Sequence, residues 1–302
     1  MTQDSRKILK FVALTFFICW LLIGVFYAFG GEWGSRKSTG IAFIYMWIPG
    51  IVAVYMQKFM YREPVRSTLA VYFKPNRWFI AAWLLPALIA LAASEIGLEL
   101  PWHEYSPEME GFIEKLSERL TPEQIEQMKT GINALPVPFF WIVFLQGLIG
   151  GVTISAVFAM GEELGWRGFL QRQFLNMGFW KSSALIGFIW GIWHAPIILL
   201  GHNYPEHPVA GVGMMVIFCL LISPIISYVR LKARSVVAAA IFHGTINSMA
   251  AIPILMITGG NDLTAGLTGL TGFIVLSVVN IMLWIYERFL TEEPLTVNIG
   301  QE

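Results

Sequence analysis

A chain of 302 residues that is 56% hydrophobic and only 13% charged has too little polar material to cover a soluble domain, which excludes that class. Twenty basic and twenty acidic side chains cancel to a net charge of +0. Bulk charge therefore gives no footing for a nucleic-acid partner, and only its distribution along the chain is informative.

The apolar runs are continuous rather than alternating. They predict an all-α fold, a polytopic membrane helical bundle in one integral membrane domain over 1–302, and argue against a β-barrel. Eight spans are expected at about 10–29, 40–58, 78–97, 138–160, 183–201, 209–229, 236–256 and 267–286. The N-terminus carries Arg6, Lys7 and Lys10 before an apolar stretch too long for a signal-peptide core, so it reads as a retained first helix. Lys58, Arg62, Arg66, Lys74 and Arg77 crowd the second connection, Arg167, Arg172 and Lys181 the fourth, and Arg230, Lys232 and Arg234 the sixth. These alternate connections fall on one side with the basic N-terminus. The positive-inside rule makes that side cytoplasmic, with both termini there and the protein in the plasma (inner) membrane.

The third connection, 98–137, is acidic, with Glu99, Glu104, Glu108, Glu110, Glu114, Glu118, Glu123 and Glu126, and is expected outside. Within it Thr121-Pro122-Glu123-Gln124 has the capping-box pattern, and Ile125, Met128, Ile132 and Leu135 follow at roughly helical spacing. An amphipathic outer helix is predicted there. Gly147 with Gly151, and Gly187 with Gly191, are spaced to let the fourth and fifth spans approach each other. Pro196 deprives the Ile192 carbonyl of a donor and kinks the fifth span near His194. Cys19 and Cys219 sit in apolar runs without a CxxC pattern and read as small buried hydrophobes. No internal repeat or second-domain boundary is evident.

Against this background six polar residues stand out. Glu162, Glu163 and Arg167 close the fourth span, where ionisable groups are costly and mark function. On a helix Glu163 and Arg167 share a face at i,i+4, while Glu162 turns about 100° away and is left free. His194 lies in FIWGIWHAPIILL; His243 and Asn247 lie one turn apart in AAAIFHGTINSMAAI. Any one of them alone reads best as a packing hydrogen bond, but the set needs a further reason. His103, His202 and His207 fall in outer connections and read as solvated.

A carboxylate and a neutral imidazole can hold and deprotonate one water, and a second imidazole beside an amide can donate to an oxyanion. The same groups, Glu162, His194 and His243, are also candidate ligands for Zn2+, although no HExxH is present. A proton-coupled transporter would also carry intramembrane acids and histidines, but predicts repeats or paired broken helices.

The pattern EExxxR at Glu162–Arg167, an aromatic four residues before His194, and HxxxN at His243–Asn247, in that order on separate apolar segments, resembles the CAAX-protease and bacteriocin-processing (CPBP, or Abi) family. One departure is Trp190, where the family often has phenylalanine. The resemblance covers the central third and places a family-like core at about 138–256. It implies an intramembrane endopeptidase of eight helices with a cytosol-facing cavity, acting on a membrane-associated peptide or protein. By motif position, Glu162 looks like the general base acting with His194 on water, and His243 and Asn247 like the oxyanion stabilisers. Glu163 and Arg167 would orient the site. The family is commonly labelled metalloprotease, whereas its eukaryotic relatives look glutamate-dependent without a catalytic metal. A non-catalytic immunity or chaperone-like membrane protein of the same fold is the alternative.

Overall fold

The computed structural model describes residues 3–117, 120–292 and 294–295; Glu118 of the acidic connection lies outside the described residues. The chain folds into a helical bundle. Helix α1 spans Gln3–Ala28, α2 Arg36–Tyr55 and α3 Arg77–Leu98. Between α3 and the centre of the chain lie a short strand β1 (His103–Tyr105) and two outer helices, α4 (Glu110–Ser117) and α5 (Pro122–Asn133). The central pair is α6 (Phe139–Val152) and α7 (Ile154–Glu163), bent by 47° at Thr153 and continued by a π-helical turn, Leu164–Leu170. Then come α8 (Phe179–Trp193), the five-residue α9 (Ala195–Leu199), α10 (Pro208–Ala233), α11 (Val236–Ser248), a strand β2 (Ile257–Gly259) and α12 (Leu270–Ile285). Polar side chains start several helices by accepting an otherwise unpaired backbone N–H: Ser35 for α2, Asn76 for α3 and Ser235 for α11.

Among the described residues six helices are long and apolar enough to cross a membrane, and a seventh crossing results if the bent central pair is one span. The predicted span 183–201 is not one continuous helix. It breaks at His194 into fifteen-residue α8 and α9, because Pro196 has no N–H to offer the Ile192 carbonyl. The break frees the Trp193 carbonyl as well, and that oxygen accepts from the Tyr45 hydroxyl and from Trp20 Nε1 at 3.3 Å. A broken helix inside an apolar bundle is tolerated when neighbouring helices re-satisfy its backbone in this way.

The expected outer helix forms as α5, with both halves of the capping box present between Thr121 and Gln124. Its Ile125, Met128 and Ile132 are half-buried while the remaining face is exposed. The glycine pairs do not bring the fourth and fifth spans together. Gly147 and Gly151 face Met249 and Thr245 in the 236–256 segment, and Gly187 and Gly191 face Cys219, Leu220 and Val216 of α10. Close approach is real in each case, but a small face fits any complementary neighbour and does not name one. Helix α7 is held on two sides: a Cβ on Gly161 would lie 2.5 Å from Trp47 Cα of α2, and one on Gly244 of α11 would lie 2.4 Å from Ala156 N. The carboxylates at its end are thus carried on a tightly enclosed helix.

Connections alternate between two poles. At one, Glu63 accepts from Lys7 at 2.9 Å and from Arg172 at 2.8 Å, and a 500 Å3 hollow gathers Lys74, Arg172, Arg230 and Arg234. Partial burial pushes the Glu63 carboxyl up, but the two cations outweigh it and hold the group below the usual carboxylate range. At the opposite pole, β1 pairs antiparallel with β2, Trp33 packs edge-on against His202 at 5.5 Å, and Tyr204 Oη donates to the Thr268 carbonyl at 2.7 Å.

Candidate active site

The two carboxylates at the end of α7 diverge, as helical rotation requires, and meet different partners. Glu163 Oε1 accepts from Arg167 Nη1 at 3.0 Å and from His243 Nδ1 at 2.8 Å, with both charged side chains of the pair fully buried. Arg167 also lies 4.6 Å over the Trp190 ring, a cation–π contact in a dry setting. Glu162 turns to the other side, where Oε2 accepts from Trp190 Nε1 at 2.6 Å and from Trp166 Nε1 at 3.4 Å. Both indoles converge on one oxygen, which leaves Oε1 for the cavity that Glu162 lines.

His194 occupies the turn between α8 and α9. Its Nδ1 lies 2.8 Å from the Trp190 carbonyl, which can only accept, so Nδ1 carries the proton and Nε2 keeps its lone pair. His243 Nδ1 likewise faces an acceptor, the Glu163 carboxylate, leaving Nε2 as its second functional atom. If His243 Nε2 is to donate it must be doubly protonated, and Glu163 is the counter-charge for that form. Asn247, one turn beyond on α11, is exposed to the same cavity.

Glu162, Trp190, His194, His243 and Asn247 all line one cavity of about 550 Å3, otherwise walled by Tyr45, Met215, Phe218 and Ile246 among others. Glu163 and Arg167, with no exposure, sit behind that wall and hold His243 and Trp190. The arrangement presents a carboxylate oxygen, an imidazole lone pair and a separate imidazole–amide pair to one enclosed space. That inventory suits hydrolysis of an amide.

The outer histidines are not free in solvent. His103 is buried with Nδ1 donating to the Gly97 carbonyl at 2.9 Å, and His202 lines the cavity beside Trp33. His207 Nδ1 lies 2.7 Å from Asp262 Oδ1. Asp262, a cavity-lining residue that sequence reasoning passed over, also accepts from the backbone N–H of Glu206 and His207. Its local sequence, Gly-Gly-Asn-Asp, looks like any polar turn; only a partner 55 residues away distinguishes it.

Zinc fits this site poorly. Among the described residues, the group of three whose ligand atoms all lie within 4.8 Å of one another is Glu206, His207 and Asp262 at the cavity's outer end. Glu162, His194 and His243 are not such a group, and the Glu162 oxygen nearest the indoles is already engaged by two N–H donors. The Asp262 cluster is no better suited, since three N–H groups already occupy both carboxylate oxygens.

Residues 136–249 match the sequence model of the Rce1-like family, described as type II CAAX prenyl endopeptidase Rce1-like. A CAAX prenyl protease 2 from Methanococcus maripaludis is 33% identical to this chain, over 37% of this chain and 48% of that protein. The chain therefore spans about half the length of this curated relative. The matched stretch contains Glu162, Glu163, Arg167, His194, His243 and Asn247.

Proposed function

We propose that this chain, a CAAX-protease-family protein by its segment 136–249, is an intramembrane endopeptidase acting on a membrane-associated peptide or protein. The observation that carries the proposal is the common cavity onto which Glu162, His194, His243 and Asn247 all open. In this reading a water sits between Glu162 Oε1 and His194 Nε2. It attacks the scissile carbonyl as Glu162 takes its proton. The carbonyl oxygen becomes an oxyanion, held by His243 Nε2–H and the Asn247 side-chain amide. Collapse breaks the C–N bond, and the proton on Glu162 passes to the leaving nitrogen, giving one carboxylic acid and one amine. Glu163 and Arg167 are positioning residues, the first for His243 and the second for Trp190. Trp190 serves both catalytic partners, its indole to Glu162 and its carbonyl to His194.

The test is a comparison of new protein termini in membranes carrying the wild-type chain or Glu162→Ala. Termini present only with the wild type support the endopeptidase; identical profiles, with both proteins inserted at equal levels, sink it. Because the cavity residues fit zinc poorly, cleavage by purified protein is expected to survive a zinc-selective chelator with less than about a twofold loss. Abolition by the chelator and recovery with stoichiometric Zn2+ would return Glu162, His194 and His243 to the position of ligands.

A further inference from the structure

We infer that the catalytic cavity opens on the extracytoplasmic face and takes peptide segments presented from that side; the substrate part of this inference rests on the endopeptidase reading above. The mouth is formed by Trp33, His202, Asn203, Asp262 and Thr268, which belong to the first, fifth and seventh connections. The walls agree with it. Of the lining residues of α2, Ala42 and Tyr45 lie in that helix's first half and Met46 just past its midpoint, and Met215 and Phe218 lie in the first half of α10. Both helices begin at the mouth pole. Along the 236–256 segment the cavity runs from His243 to Ile254, away from the basic connection at 230–235.

Towards the basic pole the site is closed. Phe11 packs edge-on against Trp166 at 5.8 Å and stacks on Phe169 at 4.8 Å, and all three are without exposure. Trp166 is also the residue whose indole bonds Glu162 from that side.

The charge count then assigns the two poles. Of the chain's 20 Lys and Arg, fourteen lie by sequence position in the N-terminus, the basic connections and the C-terminal end, five lie on the mouth side, and one is the interior Arg167. Such an asymmetry over short connections orients a polytopic protein with its basic pole in the cytoplasm. The cytosol-facing cavity implied by the resemblance and the charge rule cannot both hold in this fold, because mouth and basic connections are at opposite ends. The charge rule concerns this chain's own connections and is the stronger guide. Substrates would therefore be exported peptides or the outer juxtamembrane segments of membrane proteins, not cytoplasmic tails.

Cysteine accessibility tests the inference without depending on catalysis. Cys19 and Cys219 are buried, so wild-type protein is the blank. Glu206→Cys reports the mouth, Ala250→Cys the cavity wall and Arg66→Cys the basic pole. A charged, membrane-impermeant maleimide added to intact cells is expected to label the first two and to reach Arg66→Cys only after permeabilisation. Labelling of Arg66→Cys in intact cells overturns the orientation. Labelling of Glu206→Cys without Ala250→Cys overturns the open mouth, with Ala42→Cys as a second wall position should Ala250→Cys fail to insert. New termini mapping to cytoplasmic segments would overturn the substrate class. Expected labelling with no Glu162-dependent termini would instead sink the endopeptidase reading and leave the orientation standing.

Discussion

Glu162→Gln is expected to lower peptide cleavage by at least about a hundredfold, equivalent to about 2.7 kcal/mol of barrier, while leaving the fold intact. The substitution keeps the volume of the side chain and one carbonyl oxygen. That oxygen can still accept from Trp190 Nε1, now 2.6 Å from Glu162 Oε2, and from Trp166. What is lost is the capacity to take a proton from water, because an amide is not a base at any accessible pH. Turnover of purified protein in lipid nanodiscs, alongside its thermal unfolding, is the measurement. A variant that unfolds at the wild-type temperature and still cleaves within a few-fold of the wild-type rate would remove Glu162 from the role of base.

Arg167→Ala is expected to reduce both stability and activity. Glu163 and Arg167 have no exposed side-chain surface, so deleting the cation leaves a carboxylate inside the bundle without its guanidinium and with only the His243 imidazole beside it. Breaking one side of a buried pair costs about 3–5 kcal/mol, mostly through the charge left uncompensated. The guanidinium also lies over Trp190, so its loss reaches Glu162 and His194 through that residue. Unfolding midpoint and inserted yield read the first effect, and the residual rate of the folded fraction reads the second. The pair Glu163→Gln with Arg167→Met is expected to recover stability relative to Arg167→Ala alone, since neither member of the ion pair is left charged, but not activity, since His243 loses the carboxylate that would hold its second proton. An Arg167→Ala protein as stable as the wild type would contradict the buried pair.

Features set by short-range physics were legible in the chain itself. Apolar run length gave the membrane bundle, and charge in alternate connections gave two poles. The i,i+4 spacing of Glu163 and Arg167 gave the ion pair, and Thr121 to Gln124 gave a capping box. Each depends on transfer energies or helix geometry within one contiguous stretch of chain, from a single helical turn to the length of one span or connection. The break at His194 was half visible, since Pro196 announces a kink but not that Tyr45 and Trp20 would stabilise the freed carbonyl of Trp193.

Tertiary structure alone decided which partners those local features met. Glu163 bonds His243 across 80 residues, Trp190 bonds Glu162 across 28, and Asp262 holds the loop around His207 across 55. It also decided that the small faces of α6 and α8 pack on 236–256 and α10 rather than on each other. The reason is the solvent. In a bilayer an apolar face gains little by leaving lipid for another apolar face, so pairing follows shape and a few buried polar contacts. Those contacts join residues far apart in the chain, and neither periodicity nor composition encodes which of several similar helices will stand beside another. The same holds for the cavity's mouth: the charges of this chain distinguish a basic pole from the other, but only the packed helices determine at which of the two Glu162 and His194 are reached.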